Sequence, residues 1–548
     1  MAIIRQEINI LCGTMTADED SSAQIQIDTT QYSGSCLYYF EVVGKRASGT
    51  CTVTLHDAAH TVMATCSVTG TADALVRSSS FTPTSGAAVY HVNVAGGSTT
   101  PVIKAARIVI IQTSTPITAT ETQIEIGSAF NTISTTGGAP TKPKYWKYTS
   151  ANWDGTLTVY FEAVLYSPSS KSNASVILQV ADGTGDGFTG WADVTNGTVS
   201  TSATTATRVR GTSAITLVDG RNYRIVGVSP TSKSAMYVFC AKFIIQQAGV
   251  VGHSYSSTTG SSQGFSATDA GTGQSVTPSS DITVVAVSVW LSSDLGVTGN
   301  VLVELVSGSI TGTVLGSGTF PGSSVPAGPL ECVISLASSV ALTASTQYFI
   351  RITKTTSVGW IYHRYQAIEG YAGGNRWRKN TGESWNEELS SDSPFKLWTV
   401  LLTKLEPQYL LVNTVFISSS LQSSPTRWDS SEWSGVSNTY KHAVDSINDP
   451  VNVAVYIYAG TWLPTSVVTN PDNQGISGSI TMPSNQDIDV YVLEGTNTNL
   501  FSSRILVAVG PVTGPHIKKV AGVAWASVKK VAGVTNATAK KVAGESST

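Results

Sequence analysis

Several short sequence segments, called words below, recur in the chain at nearly fixed offsets. This repetition constrains the fold more than any other feature. Val76-Arg77 returns as Val209-Arg210, and Tyr90-His91-Val92 returns as Tyr223-Arg224-Ile225, each pair 133 residues apart. The word LYYFE that ends at Glu41 has its echo in VYFE, which ends at Glu162, after only 121 residues. Repeats at a fixed offset indicate copies of one structural unit. We therefore predict two modules of one fold, the second lengthened by an insertion centred on residues 182–195.

The composition favours strands. The chain contains 49 glycines, only 13% of its residues are charged and 41% are hydrophobic, and its many Thr, Val, Ile and Tyr residues fall in short runs between Gly and Ser clusters. A chain of 548 residues is too long for one core. We predict an all-β protein of serial β-sandwich or jelly-roll domains, with a short C-terminal tail of 11-residue repeats. The predicted domains are 1–113, 114–248 as a duplicate of the first, 265–405 after a Ser/Gly-rich bridge at 249–264, and 406–512.

The distribution of charge and the lack of a leader-like or membrane-spanning segment argue against several classes of protein. Residues 517–548 hold six lysines and one glutamate, so the rest of the chain is more acidic than the total of −3 suggests. An acidic body without a basic stripe predicts no nucleic-acid partner. The N-terminus lacks a basic and then apolar leader, and no apolar run reaches about 18 residues, which predicts neither classical secretion nor membrane insertion.

The cysteines lack the spacing of a metal site or redox motif. We interpret them as reduced, buried thiols, with a disulfide inside the first module as the alternative. They are Cys12, Cys36, Cys51, Cys66, Cys240 and Cys332.

The chain ends in three repeats of Lys-Lys-Val-Ala-Gly, which begin at Lys518, Lys529 and Lys540. As a helix, an 11-residue period would give 3.67 residues per turn, but each recurring glycine disfavours that helix by about 1 kcal/mol. A solenoid of short strands or turns, or a tail that orders on a partner, is the alternative. The repeats resemble Lys-Lys-containing repeats that end some phage structural proteins, and we predict that residues 517–548 are an attachment element.

The third module carries a family resemblance in the order of several segments. The segments are Gly273–Pro278, Ile282–Trp290, Val301–Leu305, Val340–Ala344 with Gln347-Tyr348, and Gly370–Trp377. This order resembles the jelly-roll modules of phage virion proteins and bacterial surface proteins, which are similar to carbohydrate-binding modules. The resemblance implies a jelly roll with a sugar-binding surface.

Aromatic residues crowd the same module. Flat rings bind the C–H face of sugars, while Arg, Asn and Glu side chains bind the hydroxyls. The predicted ligand-binding residues are Trp360, Tyr362, Tyr371, Asn375, Arg376, Trp377 and Trp385. We expect Trp377 and Trp385 to face the ligand from loops. The alternative is that some of these rings alternate into the sandwich core.

Three further patterns have weaker functional interpretations. The sequence GSSQG at 260–264 matches a nucleophile elbow but has no helix after it, which argues against catalysis. His56 and His60 have the spacing of zinc ligands on a helix, yet on a strand and turn the rings need not converge, so we interpret this segment as an exposed loop. Asp182, Asp186 and Asp193 are weak candidates for calcium ligands. An ordinary polar turn is the default for them, and no other cofactor is predicted.

A group of acids in the third module could in principle serve a glycosidase, which needs two carboxylates across the scissile bond. We interpret them instead as solvated loop charges. The group comprises Glu369, Glu383, Glu387, Glu388 and Asp392.

These features together predict a non-enzymatic protein of a phage particle, such as a tail fibre, tail tip or head-surface protein. Its expected partners are a host-surface glycan or receptor, other virion proteins and further copies of itself. Assembly in the host cytoplasm and release by lysis would reconcile the missing leader with an exposed position on the virion surface. The alternatives are a purely architectural filament or capsid-decoration subunit, and a polysaccharide hydrolase with accessory sandwiches. The hydrolase requires a catalytic domain, for which no stretch of the chain remains.

Overall fold

The computed structural model confirms the all-β class: within the residues that it describes, regular structure consists of antiparallel strands and three short 3-10 turns. No helix in this part of the chain is long and apolar enough to cross a membrane. The structure describes residues 2–510 except 12–14, 16–18, 96–100, 115, 134–145, 168–172, 184–189, 229–235, 258–259, 295, 357, 368–369, 403–407, 417–425, 429–431, 433–436, 448–452, 459–462, 464–465, 469–473, 483–485 and 494–498, and it describes four two-residue strands between 519 and 535.

Residues 2–114, which we call copy one, form two packed four-stranded sheets. The strands are β1 (Ala2–Asn9), β2 (Glu19–Asp28), β3 (Ser35–Arg46), β4 (Cys51–Asp57), β5 (Val62–Val68), β6 (Ala74–Arg77), β7 (Ala87–Ala95) and β8 (Pro101–Ser114). The sheet orders are β1-β8-β3-β6 and β2-β7-β4-β5, which is the eight-stranded jelly-roll arrangement. Alternate residues such as Phe40 and Val42 on β3 are fully buried between the sheets, as expected for a sandwich core.

Residues 119–248, copy two, repeat this plan strand for strand. The strands are β9 (Ala119–Ile133), β10 (Trp146–Lys147), β11 (Thr156–Tyr166), β12 (Ala174–Ala181), β13 (Trp191–Thr201), β14 (Thr207–Arg210), β15 (Asn222–Val228) and β16 (Met236–Ala248). The orders are β9-β16-β11-β14 and β10-β15-β12-β13. The β12–β13 hairpin pairs Ala174 with Thr201 where copy one pairs Cys51 with Val68. The second hairpin is therefore ten residues longer, and this accounts for ten of the twelve residues by which the offset between the shared segments changes.

Residues 408–510, copy three, have the same topology. The strands are β29 (Gln408–Phe416), β30 (Thr426–Trp428), β31 (Ser437–Ile447), β32 (Val453–Tyr458), β33 (Ser466–Val468), β34 (Gln474–Ile480), β35 (Gln486–Leu493) and β36 (Asn499–Gly510), in orders β29-β36-β31-β34 and β30-β35-β32-β33. A one-residue bulge interrupts the equivalent strand pair of each copy, after Val43, Val164 and Asp445. The sequence predicted only a sandwich here, because copy three shares no recognisable words with the other two.

Residues 250–400, the inserted domain, form a different sandwich between copies two and three. Its strands are β17 (Val250–Tyr255), β18 (Ser261–Phe265), β19 (Gly271–Val276), β20 (Ile282–Ser293), β21 (Asn300–Ser307), β22 (Thr313–Pro321), β23 (Leu330–Leu342), β24 (Tyr348–Lys354), β25 (Ile361–Tyr365), β26 (Arg376–Lys379), β27 (Asn386–Glu388) and β28 (Phe395–Val400). One sheet has the order β17-β28-β20-β25-β18 with β23 beside β20, and the other has the order β22-β21-β24-β19-β26-β27.

The expected linker at 249–264 is wrong, because β17 and β18 occupy most of it. Strand β17 pairs with β28, so the first and last strands of the inserted domain lie side by side. The domain is thus attached to the rest of the chain at one end. Its core is apolar and continuous between the two sheets, with Val287, Leu305 and Leu397 fully buried.

The three copies meet through their first strands, since β1, β9 and β29 contact one another pairwise. The second strand of a copy and the segment after it reach the next copy. In copy one, the Gln26 carbonyl on β2 accepts a hydrogen bond from Gln123 of copy two (2.7 Å), and the Ser33 hydroxyl after β2 accepts one from the backbone N–H of Thr118, which directly precedes copy two (2.9 Å). In copy three, Glu432 lies in the equivalent region and pairs with Arg5 and Arg77 of copy one. The same surfaces thus meet head to tail twice, as in a cyclic oligomer.

The contact between copies one and three is an ion cluster in the protein interior. Glu41 lies among the guanidinium groups of Arg5, Arg77 and Arg107, at 3.0, 2.6 and 2.9 Å. Burial alone would raise the pKa of Glu41, but the attraction of Arg5, Arg107 and Arg77 outweighs it and lowers the pKa to about 2. Buried charges persist only when they are paired in this way.

The C-terminal repeats form small hairpins where the structure describes them. β37 (Lys519–Val520) pairs with β38 (Val523–Ala524), and β39 (Lys530–Val531) pairs with β40 (Val534–Thr535). Two residues, Ala and Gly, lie between the strands of each pair in the sequence. The short-strand alternative therefore holds for two repeats, and the third lies outside the described residues.

The described thiols are apolar core or near-core groups. Cys51, Cys66, Cys240 and Cys332 are buried, and Cys36 is half-buried. Burial raises the pKa of Cys36 to about 11 and that of Cys66 to about 12. Both thiols therefore stay protonated and unreactive near neutral pH. Cys12 lies outside the described residues.

Candidate functional site

The predicted ligand-binding residues separate into two surface groups and an interior group. The division follows from the strands that carry them. On β25, Ile361 and His363 point into the sandwich and are 0% and 1% exposed. Because side chains alternate along a strand, Tyr362 and Arg364 lie on the opposite, outer face.

The first surface group, which we call the Trp360 platform, consists of Trp360, Tyr362 and Asp294. The indole of Trp360 is 47% exposed and stacks on Tyr362, with ring centroids 6.3 Å apart and an interplanar angle of 23°. The Tyr362 hydroxyl donates to Asp294 Oδ2 at 3.2 Å. Partial burial and this hydrogen bond raise the pKa of Tyr362. The platform thus offers a flat apolar face with the Asp294 carboxyl oxygens as acceptors at its edge.

A glycine on the neighbouring strand makes room for the platform. Gly264 lies opposite Tyr362 in the β18–β25 register. A Cβ at this position would stand 2.8 Å from the Tyr362 ring and 3.0 Å from the Trp360 ring, closer than atoms in contact normally approach. Sequence reasoning missed both Gly264 and Asp294, because each joins the site through strand pairing and chain folding, which no local pattern shows.

The second surface group consists of Trp377 and Trp385, which pack on a small cluster apart from the main core. That cluster contains Val306, Ile310 and Phe349, and the Phe349 and Trp377 rings meet edge to face at 5.7 Å. Both indoles are half-buried. Trp385 lies on the turn before β27, as predicted. The loop position expected for Trp377 is wrong, because β26 pairs with β19 and makes it a strand residue.

The interior group consists of Tyr371 and Arg376, for which ligand contact is predicted but which are both buried. Tyr371 belongs to the core, and its hydroxyl accepts the backbone N–H of Thr277 (2.9 Å) and hydrogen-bonds His253 Nε2 (2.6 Å). Arg376 is 1% exposed and lies 3.8 Å above the ring of Tyr365. A ligand at the surface cannot reach either side chain in this arrangement.

The remaining predicted contact, Asn375, lies between the surface and the interior. It is half-buried, and its side chain donates to Glu387 Oε1 at 2.8 Å.

The described carboxylates of the acidic group hold loops in place. Asp392 is fully buried, so its expected solvation is wrong; it accepts backbone N–H groups of Gly370 and Tyr371, each at 2.8 Å. Glu388 pairs with Arg376 and Arg378, and Glu383 accepts from Asn380. Glu369 lies outside the described residues. The hydrogen bonds and ion pairs of these acids therefore hold neighbouring loops and strands in place.

The candidate calcium ligands lie on the long β12–β13 hairpin of copy two. Asp193 accepts a hydrogen bond from Gln179 (2.8 Å), and the backbone N–H of Asp182 donates to Gly190. Within the part of the chain that the structure describes, neither acid belongs to a group of three ligand-type side chains close enough to share an ion. Asp186 lies outside that part. Ser262 of the GSSQG motif lies on β18 and not on a strand-to-helix turn.

Comparison with known proteins adds little. No family model matches the chain, and no curated protein matches it. A solved structure described as "The Triple Jelly Roll Fold and Turret Assembly in an Archaeal Virus" overlaps 66% of this chain and 91% of its own, at 10% identity and a TM-score of 0.16.

Proposed function

We propose that the protein is a non-enzymatic structural subunit of a virus particle. In this proposal, three jelly rolls form its base and the inserted domain presents the Trp360 platform to a host-surface glycan. The observation that carries the recognition role is the exposed Trp360–Tyr362 stack beside Asp294. Neighbouring apolar rings that form a contiguous exposed surface mark binding sites more often than single exposed residues do.

The chemistry of the platform suits a sugar. The stacked rings would cover the C–H face of a pyranose, and Asp294 would accept a hydrogen bond from a hydroxyl group. Arg364 projects from the same face of β25 as Tyr362, and its guanidinium would supply donors. Stacked rings, a carboxyl acceptor and a guanidinium donor are together suited to bind a neutral or acidic glycan non-covalently.

The base role is supported by the way the three copies associate. Buried ion pairs join residues as distant as Arg5 and Glu432, and equivalent surfaces meet head to tail. Such contacts would hold the three sandwiches together as one base. The inserted domain, attached at one end, would then project from this base. The basic repeats would attach the base to other virion proteins or to further copies of the chain.

Glycan-array binding of the full chain tests the recognition role. Trp360→Ala should weaken binding about 30-fold, because loss of an aromatic anchor commonly costs about 2 kcal/mol. Asp294→Asn should weaken it less. Leu389→Ala is the matched control, since Leu389 is 68% exposed in the same domain. Equal loss in the control and in Trp360→Ala, or no bound glycan, would refute recognition by this platform.

Deletion of residues 517–548 tests the attachment role. The shortened chain should keep the melting temperature of the intact protein, because the strands described in this segment pair with one another and not with a strand of any sandwich. It should be depleted from assembled particles when it competes with the intact chain. Equal incorporation of both forms would show that the particle does not use this segment.

A further inference from the structure

Three histidines of copy one converge at one end of its second sheet. His56 on β4 and His91 on β7 are directly opposite in the strand register. His60 lies on the β4–β5 hairpin turn. The His60 and His91 ring centroids are 4.8 Å apart, and those of His56 and His91 are 5.4 Å apart. One ligand nitrogen from each ring lies within 4.8 Å of the others.

The hairpin turn is built to bring His60 over the sheet. The carboxylate of Asp57 accepts the backbone N–H groups of Ala59 and Thr61, at 2.9 and 2.8 Å. His60 has a φ of 61°, a left-handed conformation that non-glycine residues seldom adopt. Backbone strain of this kind gathers at functional sites. Here it turns the ring of His60 back towards His56 and His91.

A hydroxyl group orients one of the rings. Thr54 Oγ1 lies 2.9 Å from His56 Nε2. The other nitrogen, Nδ1, is buried and makes no hydrogen bond within the protein. Metal-bound histidines typically use one nitrogen for the ion and the other for an orienting hydrogen bond. His56 already has this arrangement.

We propose that His56, His60 and His91 bind one Zn²⁺ ion. Neutral imidazoles suit zinc, which binds nitrogen at about 2.0–2.1 Å in a tetrahedral site. Small rotations of the side chains would close their present separation around such an ion. His91 is 6% exposed while His60 is exposed, so the site opens to solvent and its fourth position would hold water or a ligand atom from a partner. The exposed loop expected for this segment is wrong for His56, which is half-buried on β4, and the strand register adds His91.

Among the residues that the structure describes, this histidine cluster occurs in copy one and has no counterpart in copy two. In copy two the equivalents of His56 and His91 are Gln179 and Arg224, which face each other in the β12–β15 register. Arg224 Nε donates to Gln179 Oε1 at 3.0 Å and its guanidinium lies 4.1 Å from the Trp191 ring centroid. In copy two, Gln179, Arg224 and Trp191 thus contact one another at this position. In copy one, the same position contains three imidazole rings that face one another.

Titration of the full chain with Zn²⁺ by calorimetry, with Co²⁺ absorption as a geometry probe, tests the proposal. The intact protein should bind one Zn²⁺ per copy-one site and give the intense visible bands of four-coordinate Co²⁺. His60→Ala should lower the affinity at least 100-fold, and Thr54→Val about 10-fold, since loss of an orienting partner costs about 10–100-fold. The matched control His516→Ala should bind as the intact chain does.

Because His60 is exposed, its replacement leaves the core intact and a change in binding reports on the site itself. His91→Gln provides a second test if its circular dichroism matches that of the intact protein. Absence of Zn²⁺ binding at about 100 μM, or equal affinity of His60→Ala and the intact chain, would overturn the proposal. Neither outcome bears on the Trp360 platform, which lies on another domain.

Discussion

Copies one and two have the same strand order but differ in what they bury at equivalent positions. Glu41 and Glu162 both precede the common bulge and face a basic residue of the last strand, Arg107 or Lys242. Glu41 has no exposed side-chain area and is surrounded by three arginines. Glu162 pairs with Arg208 and Arg210, whose side chains are 18% and 17% exposed.

The difference reflects what lies outside each copy. The cluster around Glu41 continues into copy three through Glu432, which bonds Arg5 and Arg77. Both arginines that pair with Glu162 are partly exposed, whereas two of the three around Glu41, Arg5 and Arg107, are buried and only Arg77 reaches water. The apolar pattern inside the sandwich is therefore common to both copies, while the charged groups at the bulge have adapted to the neighbour that covers them.

The largest expected effect is on Glu41. Glu41→Gln would remove the one carboxylate that Arg5, Arg77 and Arg107 share, and breaking such a buried network costs about 3 kcal/mol. Glu162→Gln should cost about 1 kcal/mol, because its partly exposed arginines can be hydrated. Urea unfolding followed by circular dichroism measures both, and Glu331→Gln, in a partly exposed pair with Lys396 in the inserted domain, is the control. Equal costs for Glu41 and Glu162 would contradict the comparison.

Acid should act on the two copies with opposite signs. The folded-state pKa of Glu41, about 2, lies below its ordinary value of 4.5. Its stabilising contribution is therefore complete above pH 4.5 and is lost as the pH falls towards 2. Burial raises the pKa of Glu121 in copy two above 4.5, so ionisation of Glu121 weakens the fold as the pH rises, and this cost disappears in acid.

Melting temperatures between pH 7 and pH 3 test these signs. Glu41→Gln should flatten the acid-induced fall in stability, because the group that takes up the proton is gone. Glu121→Gln should raise the melting temperature at pH 7 and have less effect at pH 3. If both variants change the pH profile in the same direction, the two carboxylates do not differ as the structure indicates.

The sequence predicted the relation between copies one and two because their shared words keep a nearly constant offset. It could not relate copy three to them, since the same topology there is built from different apolar residues. Among the site residues, Trp360 and Tyr362 lie at the surface as expected. Tyr371 and Arg376 do not, because a run of aromatic and basic residues does not specify which face of a strand each one occupies.

The three histidines show the same limit. His56 and His60 are neighbours in sequence, but His91 lies 31 residues beyond His60 and joins them only through the β4–β7 register. The sequence contains the word Tyr90-His91-Val92 as a repeat signal, and nothing in that word marks it as part of a site. Strand pairing, which depends on the whole sheet, supplies the missing contact.

The smallest expected effect comes from the position of copy two that corresponds to the histidine site. Trp191→Ala removes a half-buried ring beneath Arg224, a cation–π contact worth about 0.5–1 kcal/mol near a surface. The Arg224–Gln179 hydrogen bond would remain, so the loss in unfolding free energy should not exceed about 1 kcal/mol. The rise in melting temperature on adding Zn²⁺ should be the same in Trp191→Ala as in the intact chain, since the ion binds copy one. A smaller zinc response in this variant would place metal binding in copy two and break the distinction between the copies.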